Sequence, residues 1–148
     1  MNESFERLMR IALEEAKLAA SEGEVPVGAV LVKNGEVVAR AHNKVEQTHD
    51  ATTHAELLCL RQGMELLGSR LSNCTLFVTL EPCAMCAGAC VNAKLGKLVY
   101  GAFDEAAGCC GTKMDLTDHC FLHSVETWGG VLEEECKELL SSFFKELR

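Results

Sequence analysis

Two hydrophobic periods alternate along the chain. Over residues 3–22, Phe5, Leu8, Met9, Ala12, Leu13, Ala16 and Ala19 recur at helical spacing with Glu14, Glu15 and Lys17 between them. The segment predicts an amphipathic helix, which Gly23 ends. Val27 to Val32 is a short β-rich run, Val37 to Ala41 is its return, and the Asn34-Gly35 pair between them is a strong hairpin signal. A polar loop, His42 to Thr53, leads to a second helix from about His54 to Gly68. Thr75 to Leu80 reads as a buried strand, Cys83 to Ala93 as a helix after Pro82, and Leu98 to Gly101 as another strand. Phe103 to Leu122 is rich in small residues and lacks a period, which predicts a loop with a short helix. Val125 to Trp128 suits a short edge strand. Val131 to Leu147 predicts a last amphipathic helix with Leu132, Cys136, Leu139, Leu140, Phe143 and Phe144 on its apolar side. The hairpin is antiparallel and the strand–helix–strand unit parallel, so the order predicts one α/β layered domain, residues 1–148, around a mixed sheet.

Composition narrows this. A chain of 148 residues with 48% hydrophobic and 24% charged positions suits one globular core and excludes disordered or fibrous classes. Its longest apolar stretch, about Val25 to Val32, is too short for a membrane span. The acidic start Met1-Asn2-Glu3-Ser4 lacks the basic flank and apolar core of a signal peptide, which predicts a cytoplasmic protein. Fourteen Lys and Arg against 22 Asp and Glu give a net charge of −8, which argues against a general nucleic-acid binder. Nine cysteines without a secretory signal predict buried thiols plus metal ligands rather than a disulfide framework, and only Cys83 and Cys86 have the C-x-x-C spacing.

Two segments carry the chemistry: Thr53-His54-Ala55-Glu56 and Thr79-Leu80-Glu81-Pro82-Cys83-Ala84-Met85-Cys86. Cysteines three apart at a helix start converge on one ion, and His54 makes a third ligand, leaving a fourth position for water as in catalytic zinc sites. Thiolates and imidazole favour zinc over magnesium or calcium. Glu56, two residues after His54, is placed to move a proton between that water and a leaving nitrogen. The plainer reading of Thr53-x-x-Glu56 is a capping box, that of the cysteine pair a redox couple or buried thiols, and that of His54 a structural histidine. Their joint occurrence favours one zinc ion per chain.

The compound pattern H-x-E with P-C-x-x-C is similar to the signature of the zinc-dependent nucleoside and nucleobase deaminases. Glu24 to Val32, His54 to Glu56, Thr79 to Ala89, Tyr100 to Ala102, Gly111 to Leu116 and the tail from Gly130 to Phe144 resemble the bacterial tRNA-specific adenosine deaminases of the cytidine/deoxycytidylate deaminase superfamily. The resemblance spans nearly the whole chain. It implies a three-layer α/β/α sandwich with a mixed five-stranded sheet, cytidine-deaminase-like, a homodimer, and an anticodon stem-loop as substrate. The implied reaction is hydrolysis at C6 of a flipped-out wobble adenosine to give inosine, with Glu56 passing protons to the ring nitrogen and the departing amine. It also implies that Asn43 hydrogen-bonds the base, that Pro26 and Val27 line the pocket, and that Asp104 lies near the RNA backbone. The alternatives for these four are a turn residue or cap, strand packing and a solvated loop charge. Where the family usually has Asp-x-Lys-x-Gly, this chain has Asp104-Glu105-Ala106-Ala107-Gly108; where it has Asn-His-x-Val, this chain has Leu122-His123-Ser124-Val125. His119 and His123 suit structural or RNA-side roles. Lys94, Lys97, Arg40, His42 and Lys44 allow either a local positive surface by the site or an ordinary solvated face. The competing functions are a free nucleobase deaminase acting on guanine or cytosine, and a non-catalytic zinc or RNA-binding module.

Overall fold

The computed structural model describes residues 3–147. Its elements are α1 (Glu3–Ser21), β1 (Gly28–Lys33), β2 (Glu36–His42), α2 (Val45–Thr48), α3 (Ala55–Leu67), β3 (Cys74–Leu80), α4 (Ala84–Asn92), β4 (Lys97–Ala102), β5 (Glu126–Trp128) and α5 (Glu133–Glu146). The five strands form one sheet in the order β2-β1-β3-β4-β5. β1 pairs antiparallel with β2 and β3, whereas β3–β4 and β4–β5 are parallel, so the sheet is mixed as the pattern predicts. The β1–β2 turn has positive φ at both Asn34 (54°) and Gly35 (78°), the backbone an Asn-Gly hairpin needs.

Alternation along the strands sorts the core into two layers. Ala29, Leu31, Leu76, Val78, Leu98 and Tyr100 face one side, where they pack with Ala55, Cys59 and Leu60 of α3 and Ala87, Cys90 and Val91 of α4. Val30, Val32, Phe77 and Val99 face the other, against Leu8, Met9, Ala12 and Leu13 of α1 and Cys136 of α5. The sheet is thus sandwiched between α3–α4 and α1–α5. α1 sits unusually close to β1 because Gly28 has no side chain: a Cβ there would lie 2.0 Å from Ala12 O and 2.5 Å from Ala16 N. Both obstacles are backbone, so neither can rotate away. Gly28→Ala is expected to destabilise the fold by about 3 kcal/mol, read as a lower urea midpoint at unchanged slope.

Three expectations need correction. The small-residue stretch after β4 contains no helix; turns and one isolated bridge, Cys110–Asp115, organise it. The polar loop before α3 contains a short helix, α2. α5 buries only Cys136 fully, Leu139 and Leu140 are half-buried, and Phe144 stays 46% exposed. The Cys136 thiol fills the space a side chain at Gly101 would need, and Leu132, Leu139 and Leu140 pack beside it against the core.

Candidate metal centre and base pocket

The two chemistry-bearing segments both end up at helix starts. His54 is the N-cap of α3 and Cys83 the N-cap of α4, and neither side chain makes a capping hydrogen bond. Both are therefore free to point across to one another. The expected capping box is absent: the helix begins one residue later than Thr53 requires, and the Thr53 hydroxyl donates to Asp50 O at 2.8 Å instead. Pro82 stands just before the α4 cap, where it stops the preceding strand from continuing.

His54 Nδ1 lies 3.6 Å from Cys83 Sγ and 3.7 Å from Cys86 Sγ, and all three atoms fall within 4.8 Å of one another. Such a trio can hold a metal ion. Hydrogen bonds from the Cys86 thiol and from His54 push Cys83 down to about 3, and the adjoining helix N-terminus favours the same thiolate. The Cys86 thiol, which donates to Cys83 and is buried, moves upward, and the bond to Cys83 raises His54. Glu56 is 4% exposed, and burial lifts its carboxyl to about 7.

These groups open onto a cavity of about 280 Å³, lined by His54, Glu56 and Cys83 on one side. Val25, Val27 and Leu80 supply apolar wall, and Asn43 and Asp104 also line it. Asn43 is 7% exposed; its N–H donates to Val27 O at 3.1 Å, while its side-chain amide has no partner among the described residues. Pro26 is buried but does not line the cavity. It is the corner of a three-residue turn, with Val27 N–H donating to Val25 O at 2.8 Å, so its two neighbours form the wall in its place. Asp104 uses Oδ1 to accept the N–H groups of Ala106 (3.0 Å) and Ala107 (3.2 Å), which makes it a turn residue as well as part of the wall.

Three further acids, Glu24, Glu46 and Glu81, border the cavity and had no role from their sequence positions. Glu24 is fully buried and accepts the N–H groups of Glu46 (2.9 Å) and Gln47 (2.8 Å) at the start of α2; burial opposes its charge, yet those bonds hold it below the usual carboxylate range. Glu81 is 1% exposed and binds the loop after β4. An acid inside an otherwise apolar run (Glu24-Val25-Pro26-Val27, Leu80-Glu81-Pro82) was the available signal.

Of the basic residues singled out in the sequence, most are paired with acids. Arg40 pairs with Glu14 (3.1 Å) and Glu15 (3.0 Å), His42 with Glu15 (2.8 Å) and Glu22 (2.9 Å), and Lys44 with Glu22 (3.7 Å). Lys97 lies 3.8 Å from Glu126. Lys94 has no ion pair among the described residues and borders a separate groove with Phe121 and Leu122. His123 binds Leu95 O at 2.9 Å and His119 binds Asp118, which makes neither a metal ligand. No disulfide forms; Cys120 is exposed and the other six thiols outside the trio are buried.

Comparison with known proteins gives the family. The model of the MafB19-like deaminase family matches residues 3–148. A tRNA-specific adenosine deaminase of Bacillus subtilis (strain 168) is 52% identical over 145 residues, covering 97% of this chain and 90% of that protein. A tRNA-specific adenosine deaminase of Aquifex aeolicus (strain VF5) is 42% identical over 144 residues, covering 97% and 95%. A solved structure from work on A-to-I editing by tRNA:A34 deaminases at the wobble position of transfer RNA superposes with a TM-score of 0.83 at 40% identity, over 90% of this chain and 99% of that one. A guanine deaminase structure from Nitrosomonas europaea shares the fold at a TM-score of 0.82 and 22% identity, over 93% and 83%. The chain belongs to the MafB19-like deaminase family, among the tRNA-specific adenosine deaminases.

Proposed function

We propose that the protein hydrolyses adenosine to inosine and ammonia at the wobble position of a tRNA anticodon, using one zinc ion held by His54, Cys83 and Cys86. The observation that carries deamination is the buried carboxyl of Glu56 beside the His54–Cys83–Cys86 trio, with Glu56, His54 and Cys83 lining one cavity. RNA as substrate rests on the relatives at 42–52% identity. The donor set suits zinc: with bonds of about 2.3 Å to sulfur and about 2.0 Å to nitrogen, a tetrahedral ion sets N and S about 3.5 Å apart. The observed separations are 3.6 and 3.7 Å. Bound there, zinc supplies a Lewis acid and a water ionising near pH 7.

The remaining work falls to side chains of the chain itself. Glu56 holds a proton on its carboxyl, gives it to the ring nitrogen beside C6, and serves the departing amine in turn. Its burial supports this role, because a carboxyl kept out of water binds a proton near neutral pH. The unpartnered amide of Asn43 is available to a base edge, and Val25, Val27 and Leu80 keep water off the ring. A cavity of about 280 Å³ sits just below the usual range of ligand pockets, about 300–1,000 Å³, which suits one extruded base. A base in an anticodon loop leaves its stack at little cost.

Purified protein incubated with an anticodon stem-loop is expected to convert its wobble adenosine to inosine, detected by mass spectrometry of the digested RNA. Turnover of free guanine or cytosine without inosine in RNA would make the free-base alternative correct instead. A homodimer acting in the cytoplasm belongs to the same proposal. Phe121 (57% exposed) and Leu122 (104%) beside a groove of about 620 Å³ support an association surface, and no described helix is long and apolar enough to cross a membrane.

A further inference from the structure

Glu81 is a buried carboxylate with no cation beside it among the described residues, and all its acceptor capacity goes to one loop. It accepts the N–H of Asp104 at 3.0 Å, of Cys110 at 3.0 Å and of Thr112 at 3.1 Å, together with the Thr112 hydroxyl. The next residue along, Pro82, accepts the N–H of Cys109 at 2.9 Å. The loop closes directly on the carboxylate: a Cβ on Gly108 would lie 2.4 Å from Glu81 Oε1 and 2.6 Å from Asp104 O. These bonds replace the helix that the small-residue stretch otherwise suits, because a charged acceptor satisfies several N–H groups at once. Asp104 and Ala107 of the same loop line the base cavity, and Cys83 follows Glu81 by two residues.

We propose that Glu81 is a positioning residue that clamps the 104–112 loop as a preformed wall of the base pocket, fixed to the segment that bears Cys83. The proposal rests on the reading of the cavity as a base pocket. Substrate binding then depends on Glu81, whose side-chain hydrogen bonds go to the loop and not to the ligand trio or Glu56.

The test uses zinc-loaded protein and three variants. Glu81→Gln keeps the size but turns an amide N–H₂ toward backbone donors. Gly108→Ala attacks the same contact from the loop side, and Thr112→Val removes one bond. Glu81→Gln and Gly108→Ala are expected to raise KM for the stem-loop about tenfold, to leave kcat within about threefold, and to keep the zinc content. Amide exchange at residues 104, 110 and 112 is expected to quicken about tenfold in both, with Thr112→Val between them and the parent. Unchanged exchange at these amides in Glu81→Gln, or a fall in kcat with zinc loss at constant KM, would overturn the clamp. Should Glu81→Gln fail to fold, Gly108→Ala and Thr112→Val decide by the same measures. If the parent protein leaves the stem-loop unedited, the deaminase reading fails, and amide exchange alone still judges the clamp.

Discussion

Glu56→Gln is expected to lower inosine formation about 10³-fold while the protein keeps its zinc and its melting temperature. The amide has the size of the carboxyl and the residue occupies the first turn of α3, so the helix start is undisturbed. What disappears is the capacity to hold and release a proton. Glu56 is 4% exposed and its carboxyl is held up to about 7 by burial, so a neutral amide fits the pocket at least as well as the acid does. Stability is therefore expected to be unchanged or slightly higher, which separates this variant from one that merely damages the fold. Metal analysis and deamination are measured on the same sample. Activity within tenfold of the parent would remove Glu56 from the proton path.

The parts of the site legible in sequence are those set by local geometry. Cys83 and Cys86 are three apart at a helix start, and that spacing alone brings two sulfurs to one side. The hairpin was legible at Asn34-Gly35 because its φ values follow from residue type. What sequence could not show depends on partners far along the chain. Arg40 and His42 suggested a positive rim, yet the acids that face them, Glu14 and Glu15 of α1 and Glu22 just beyond it, precede them by 20–27 residues. The 104–112 loop has no period of its own because its order comes from Glu81, more than 20 residues earlier. Even the capping box failed on a one-residue difference in where α3 begins, since His54 takes the cap position while its ring turns to the cysteines.

The same placement gives an acidic chain a way to act on RNA. The charge of −8 argues against binding through broad phosphate neutralisation, and Arg40, His42 and Lys44 near the cavity already face acids. Recognition then falls largely on shape and on one extruded base. Walls held by Glu24 and Glu81 suit this, because a pocket fixed beforehand loses little freedom when the base enters.

Cys86→Ala is expected to strip the centre of its metal and abolish editing, whereas Cys90→Ala one turn further along α4 retains both. The two cysteines share a helix, are each fully buried and differ by four positions, so they lose comparable packing on truncation, about 1 kcal/mol. Only Cys86 has its sulfur 3.7 Å from His54 Nδ1; Cys90 belongs to the apolar layer beneath the sheet, where burial pushes its thiol upward. Structural zinc binding of about 10–16 kcal/mol over four ligands allots about 2.5–4 kcal/mol to each, or roughly a 10²–10³-fold loss of affinity when one is removed. Competition with a chromogenic chelator measures that loss directly, apart from activity. A Cys86→Ala protein that holds zinc as tightly as the parent would take Cys86 out of the ligand set. Loss of zinc in Cys90→Ala to the same degree would mean that the centre responds to α4 packing rather than to a particular thiol.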